Sequence, residues 1–290
     1  MIKMKITEIN ESEWIGISAD LAESNFFQQL PWLKLVSEIF DLINHYIKIN
    51  INDTNVYICL QCDNNKAYAN FIGYGGFISS EQLSYEAMSD IIEGIEKEFE
   101  VKINRMKLFP RDKTELKGKP GWSAEITSVI KITPGWVRFV KKNAKNAVKN
   151  ATKNGVMTRC LDSKYLDSFY SIYDQTMDRV NSSYKTPKLF FEKLLLFPDV
   201  YFVGAFHDNK LIATSIFLNH KEWSFYWWNV SSDDGRKYNA NYLIMFSTIN
   251  RLSTEGFRFL DMASSNNKGI IDFKNRWGAE NMDFMIFDRR

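Results

Sequence analysis

Cysteine, histidine and proline are scarce in this chain of 290 residues, with three, three and six copies. Three cysteines cannot build a disulfide framework. Cys59 and Cys62 form a C-x-x-C, a spacing that suits a redox pair or half a zinc site. The surrounding "NVYICLQC" is an apolar strand, with no second pair and no histidine cluster near it, so a structural role and no metal are expected. Lone histidines are weak catalytic signals. His207 and His220 fall near predicted turn ends, and His45 at a helix–strand junction. An excess of one charge is also missing. Lys and Arg number 37 against 35 acids, a formal charge of +2, which argues against a generic nucleic-acid coat. No apolar run reaches the eighteen residues or so of a transmembrane helix. The start, MIKMKITEIN, lacks the apolar core of a signal peptide and reads as a first strand, so the default location is the cytoplasm.

Aromatic residues are abundant: Trp 8, Tyr 13 and Phe 22 make 15% of the chain. Such a chain can fill two cores and still line a groove for an extended ligand. Two stretches echo each other. "NVYICLQCDNNK" (Asn55 to Lys66) and "DVYFVGAFHDNK" (Asp199 to Lys210) share Val, Tyr, Asn and Lys in register. Each reads as a strand ending in an Asp-Asn turn that feeds another strand. In the first half, strands over Ala67 to Ile78 lead to a helix near Ser84 to Glu98, with Met88, Ile91, Ile92, Ile95 and Phe99 at helical spacing, and then a strand at Arg105 to Phe109. In the second half, strands Leu211 to Leu218 and Trp223 to Val230 lead to a helix near Asn239 to Glu255, stopped by Gly256, and then strand Phe257 to Met262. Helical segments at Pro31 to Phe40 and Pro187 to Leu196 precede the two halves. The pattern is α/β in each half.

Between them lies "TPGWVRFVKKNAKNAVKNATKNG", Thr133 to Gly155, read as one helix capped by Thr133 and ended by Gly155. Trp136, Val140, Ala144, Ala147, Val148 and Ala151 mark its apolar face. Arg138, Lys141, Lys142, Lys145, Lys149 and Lys153 bring six positive charges and no acid. That face is either simply solvated or a contact for RNA or nucleotide phosphate. A short strand, Val156 to Cys160, and a helix near Ser163 to Arg179 follow.

"YWWNVSSDDGRKYNANYL", Tyr226 to Leu243, runs from an aromatic strand through a Ser-Asp-Gly turn into Arg236, Lys237, Tyr238, Asn239, Ala240 and Asn241, which open a helix. A helix start presents free N–H groups and a positive dipole end, so this is a candidate anion seat, although an ordinary capped helix would read the same way. The strand–turn–helix layout resembles the GNAT acyltransferase fold, whose seat takes the pyrophosphate of acyl-coenzyme A through a Q/R-x-x-G-x-G/A loop. Here Arg236 leads, and neither glycine is present.

The duplication and the C-terminal motif narrow the match. The chain is similar to the Fem-like tandem GNAT acyltransferases, which include the peptidoglycan interpeptide-bridge aminoacyltransferases and acyltransferases of cell-envelope gene clusters. "NFFQQLPWLK" resembles the group's F-x-Q-x-x-x-W signature, and "DQTMDRVNSSYKTPKLFF" its T-x-x-R segment. The lysine-rich segment resembles its basic central helix, and "YNANYLIMFSTINRLSTEGFRFLDM" its second GNAT helix and strand. "GIIDFKNRWGAE" resembles its G-x-x-x-F-K-x-x-[FW]-G ending, the most specific of the five.

The resemblance implies two GNAT-like domains of mixed sheet flanked by helices, 1–132 and 133–290, with the last strand able to pack on the first domain. It implies that Lys274 lies beside the acyl donor, with Gly269 giving a tight turn, Phe273 anchoring the segment, and Trp277 and Gly278 leading into strand Asp283 to Phe287. Arg236, Lys237, Tyr238, Asn239, Asn241 and Phe273 are then donor-binding. Lys34 and Arg179 match positions that hold acceptor phosphates, and Trp32 and Tyr226 join them on the acceptor side. The bridge enzymes carry an Asp-Pro at the end of a first-domain strand. "MKLFPRD" has Phe109-Pro110 there, with Asp112 displaced, so Asp261 is the candidate proton acceptor, if it is not an ordinary turn aspartate. No heptad run suggests the coiled-coil arm with which bridge enzymes contact transfer RNA.

The expected function is transfer of an acyl or aminoacyl group to an amino group of a cell-envelope or glycan precursor, an amino sugar on a nucleotide or lipid carrier. The donor is acyl-coenzyme A or aminoacyl-tRNA, and peripheral membrane contact is compatible with a lipid-linked acceptor. A true tRNA-dependent bridge enzyme is one alternative. A non-catalytic module binding a glycan or nucleotide sugar is another.

Overall fold

The structure, a computed structural model, describes residues 4–51, 54–110, 115–264 and 267–289. Asp112 lies outside the described residues. The chain forms two compact units, Met1–Ile126 with Asp283–Arg290, and Thr127–Met282.

The first unit contains β1 (Met4–Glu8), α1 (Glu11–Asp20), α2 (Leu30–Phe40), β2 (Ile43–Ile51), β3 (Thr54–Asp63), β4 (Lys66–Ala69), α3 (Tyr85–Glu98) and β5 (Lys102–Lys107). Its strands run in the order β1-β2-β3-β4-β5, antiparallel except for β4 and β5, which pair in parallel across α3. Strand alternation explains its two apolar faces. Val56, Ile58, Leu60 and Cys62 of β3 pack with Met88, Ile91, Ile92 and Ile95 of α3. Cys59 points to the other face, with Trp14, Leu30 and Leu33. The C-x-x-C therefore splits between two cores and cannot close on itself or on one metal.

The strands expected over Ala67 to Ile78 shrink to β4. The chain then loops, and Ile78 returns to make an isolated bridge to Tyr57. Asn70 at φ +66° turns the loop, and its side-chain amide donates to the carbonyls of Phe27 and Tyr74 at 2.7 and 2.6 Å. Buried Glu96 ties the unit's end together by accepting from the Ile103 N–H at 2.9 Å, from Lys102 at 3.1 Å and from Arg289.

The second unit begins within β6 (Trp122–Lys131) and continues with α4 (Lys142–Lys153), β7 (Met157–Cys160), α5 (Leu166–Arg179), α6 (Lys188–Leu194), β8 (Val200–His207), β9 (Lys210–His220), β10 (Trp223–Ser231), α7 (Asp233–Lys237), α8 (Ala240–Thr254), β11 (Phe259–Asp261) and α9 (Lys268–Arg276). It ends within β12 (Glu280–Asp288), whose last residues pair antiparallel with β5 of the first unit's own segment set. The strand order is β6-β11-β10-β9-β8-β7, and β10 and β11 are the parallel pair, joined across α8. The echoing strands, β3 and β8, each open a hairpin, but they do not occupy like places: β3 adjoins β4 of its parallel pair, whereas β9 separates β8 from β10. In the second hairpin Asp208 and Asn209 both take positive φ, +47° and +61°, as a two-residue turn with right-handed strand twist requires.

The single helix expected from Thr133 to Gly155 is interrupted. Trp136–Phe139 form a 3-10 turn entered through Gly135 at φ +76°, Val140 is extended, and α4 starts at Lys142. Tertiary contacts win over helix continuity here. Trp136 and Val140 are buried, Trp136 packs against Phe246 and Trp277, and the Lys141 N–H donates to the Arg276 carbonyl at 2.8 Å. In α4, Ala144, Val148 and Ala151 face the core. Lys142, Lys145, Lys149 and Lys153, at intervals of three and four, form a stripe on another face.

Candidate functional site

The parallel pairing of β10 with β11 lasts only from Trp223 to Phe225 against Phe259 to Asp261. Beyond it β10 continues to Ser231 along β9, with a bulge between Tyr226 and Trp228 that adds twist. The chain after β11 turns away at Ala263, whose φ is +61°. A cavity of about 540 Å³ occupies the resulting fork. Its walls come from the end of β10 (Tyr226, Trp227, Trp228, Asn229), from the α7–α8 junction (Gly235, Arg236, Asn239, Asn241, Tyr242), from Met262, Ala263 and Ser264, and from α9 (Gly269, Ile270, Phe273, Lys274).

The α7–α8 junction differs from the single helix opening expected from the sequence. Ser232 caps α7, accepting from the Gly235 N–H at 3.1 Å. Asn239 stands between the helices at φ +57°, a left-handed conformation that asparagine tolerates better than most residues. α8 then starts at Ala240 with no side-chain cap from Asn239, and the Tyr242 N–H donates to the Asn239 carbonyl at 3.0 Å. Arg236 donates to the Ser231 carbonyl at 3.0 Å and pairs with Asp233. Lys237 and Tyr238 do not line the cavity. Lys237 is exposed, and His207 stacks on Tyr238 at 4.2 Å. Gly235 fits because a Cβ there would lie 2.2 Å from the Ile212 carbonyl oxygen.

The segment around Lys274 is helical, where a turn at Gly269 was expected. Asn267 caps α9, accepting from the N–H groups of Gly269 and Ile270 at 2.9 and 3.2 Å. The left-handed glycine is Gly278, at φ +76° after the helix. Phe273 is half-buried and packs on Tyr242, while Trp277, completely buried, is the stronger anchor. Lys274 sits in the last turn, 3% exposed, and its Nζ donates to the Ala263 carbonyl at 2.6 Å. Burial pushes its ammonium down to about 8, against the opposing pull of the Asp261 carboxylate. Burial likewise raises the Tyr226 phenol, although a hydrogen bond with Ser215 opposes it.

Asp261 is 2% exposed and does not line the cavity. Its Oδ1 accepts from the Thr127 hydroxyl at 2.5 Å and from the Ala263 N–H at 2.6 Å. That environment does not suit direct proton transfer from an acceptor amine, which needs hydrogen-bond reach. Trp32 is also a core residue: it is completely buried among Phe26 and Phe27, and its indole N–H donates to the Ile72 carbonyl, so no acceptor can touch it. Lys34, in the first unit, is exposed and pairs with Glu11 at 2.9 Å. Arg179, in the second unit, ends α5 and is exposed. His45 lies within β2, paired with Glu8, and none of the three histidines lines the cavity.

One cavity therefore gathers Lys274, Arg236, Asn239, Asn241, Phe273 and Tyr226. Sequence reasoning missed Asn229, Tyr242, Ala263 and Thr127. Tyr242 stands three residues after Asn239 and was findable by helical spacing. Nothing local signals Thr127, which reaches Asp261 across 134 positions of chain. Among the described residues, no group of three or more His, Cys, Asp or Glu side chains is arranged to hold a metal ion, and no helix is long and apolar enough to cross a membrane.

Residues 113–204 match the model of the FemAB family. No curated protein matches the chain by sequence. Among solved structures, the chain is similar to FemX, with a TM-score of 0.72 at 12% identity, covering 97% of this chain and 96% of that one. It is similar to the C-terminal domain of a putative lysylphosphatidylglycerol synthetase from Agrobacterium fabrum (TM-score 0.64, 11% identity, 97% and 92% covered). A tandem GNAT protein from the clavulanic acid biosynthesis pathway gives 0.60 at 10% identity, with 98% of each chain covered. The resemblance to the Fem-like tandem GNAT group holds, and the fold is α/β with GNAT-like architecture.

Proposed function

We propose that this chain is an acyltransferase that moves an acyl or aminoacyl group from an activated donor to an amino group of a cell-envelope or glycan precursor. The observation that carries the reading is the buried Lys274 ammonium lining a cavity in the fork of a GNAT-like sheet. Acyl transfer adds an amine to a carbonyl carbon and builds negative charge on the carbonyl oxygen. A fixed cation in a water-poor cavity stabilises that oxygen and costs no reorganisation when the charge forms. The intermediate then collapses and expels the sulfur or oxygen leaving group of the donor, which takes up the proton that the amine gives up and departs as a thiol or alcohol, leaving an amide. Arg236 and the first N–H groups of α8 suit the anionic part of the donor, and Asn239, Asn241 and Phe273 its neighbouring atoms. Lys237 and Tyr238 border that seat. On the acceptor side, Tyr226 lines the cavity. Arg179 of the same unit, and separately Lys34 of the first unit, are exposed cations of a kind that suits phosphate.

The FemAB match and the lysine stripe on α4 favour a second reading, in which the donor is aminoacyl-tRNA. Thermal unfolding in the presence of acetyl-coenzyme A, and separately of aminoacylated tRNA, distinguishes the two. A donor that binds the native protein must raise its melting temperature by mass action. Stabilisation by neither, with no transfer to an amino-sugar nucleotide from either, defeats the proposal.

A further inference from the structure

We infer that Asp261, seated by Thr127, is a positioning residue that holds the Lys274 ammonium in place through the Ala263 turn. This rests on the reading of Lys274 as the cation of the donor site. The geometry is a short chain of buried contacts. Thr127, from β6, is completely buried, and its hydroxyl donates to Asp261 Oδ1 at 2.5 Å. The same oxygen accepts from the Ala263 N–H at 2.6 Å. The Ala263 carbonyl in turn accepts from Lys274 Nζ at 2.6 Å. One carboxylate oxygen thus fixes one end of a peptide unit pair whose other end fixes the lysine.

Ala263 adds a second argument. It takes φ +61°, where a Cβ is disfavoured, and it lines the cavity. Left to itself, an alanine would leave this region, because its Cβ crowds the following carbonyl oxygen there. The Asp261 hydrogen bond and the contact of Ser128 N–H with the Ala263 carbonyl, at 3.4 Å, keep it there. The outcome is a carbonyl aimed at the one atom the chemistry needs held. Asp261 also acts through its charge, because a carboxylate nearby favours the protonated lysine against the cost of burial. The other titratable groups lining the cavity are Tyr226 of β10, Arg236 of α7 and Tyr242 of α8, whose hydroxyl accepts from Arg276 at 2.6 Å. Asp261 is the charged group that favours the protonated form of Lys274 against the cost of burial.

Competitive labelling of lysines with acetic anhydride across pH 6 to 11, read by mass spectrometry of the Lys274 peptide, tests this without any transfer assay. In the unaltered protein the reactivity of Lys274 should rise with a midpoint near 8. Asp261→Asn keeps the shape and removes the charge, so its midpoint should fall by roughly one pH unit. Thr127→Val keeps the charge and frees the turn, so its midpoint should hold while labelling becomes several-fold faster. Both variants are checked for folding by thermal melts, and either one, if folded, decides the question. An Asp261→Asn midpoint equal to that of the unaltered protein overturns the inference, as does unchanged labelling of Lys274 in Thr127→Val. Normal labelling shifts in a protein that transfers no acyl group leave the positioning role standing and remove only the enzymatic reading.

Discussion

Replacing Lys274 by methionine removes one ammonium and keeps the length and apolar character of the side chain. Two opposite effects are expected. The first is on transfer. A single preorganised donor to a developing oxyanion contributes roughly 3–4 kcal/mol, so kcat should fall about 10²- to 10³-fold. KM for the donor should change less, because the lost contact strengthens only as charge develops. The second effect is on stability. Holding the ammonium at about 8, against an ordinary 10.5, corresponds to ~3 kcal/mol against the charged form in the folded state. Methionine is free of that penalty but gives up the hydrogen bond to the Ala263 carbonyl, worth ~2 kcal/mol for a charged donor. The balance is a gain of about 1 kcal/mol, or a melting temperature up by about 3 °C. The sign with pH follows from linkage. Below pH 8 the lysine is charged both folded and unfolded, and the penalty is complete. Between about 8 and 10.5 the unfolded chain binds the extra proton, so the unaltered protein gains stability as pH rises and the variant's advantage shrinks. Paired calorimetry and single-turnover transfer assays at pH 7 and pH 10 measure both effects. A variant that keeps full transfer, or that melts ~10 °C lower, would show Lys274 to be a structural residue and refute the reasoning.

The pH–rate profile separates two uses of the same side chain. As an oxyanion donor Lys274 acts protonated, so kcat should decline above about pH 8, whereas a lysine acting as base would make it rise there. Arg236→Ala should weaken binding of a phosphate-bearing donor by about 10-fold or more, measured by titration calorimetry, and added salt should blunt the difference. Gly235→Ala forces a Cβ to within 2.2 Å of the Ile212 carbonyl and 2.5 Å of Ser231 Oγ. Denaturant unfolding should show a loss of ~1–3 kcal/mol, with donor affinity falling alongside as the α7–α8 junction shifts. A Gly235→Ala protein with unchanged stability and affinity would mean that the junction yields without consequence.

The sequence alone determined the α/β class, the echo of two hairpins, and most helices to within a few residues. Those features rest on local rules: periodicity of three to four, strand alternation, and turn residues such as Asp208-Asn209. It also brought forward Arg236 and Asn239, as a cation and a turn-prone residue at a strand–turn–helix junction, and Lys274 through the resemblance of its segment to the Fem-like ending. Local rules failed wherever a distant group changed the balance. The helix from Thr133 broke because buried Trp136 and Val140, and the Arg276 carbonyl, offered more than continuity did. The segment after Asn267 became a helix, capped by Asn267 at one end and anchored at the other by the buried ring of Trp277. Trp32 was legible as an aromatic signature but not as a core residue, since burial depends on what the chain folds against it. The cavity belongs wholly to tertiary structure. It exists because β10 and β11 part after three paired residues, and no residue in either strand announces where a partner will leave it. Likewise Thr127 and Asp261 meet only after 134 positions of chain have been folded between them, and the energy of that contact is invisible to any window of sequence.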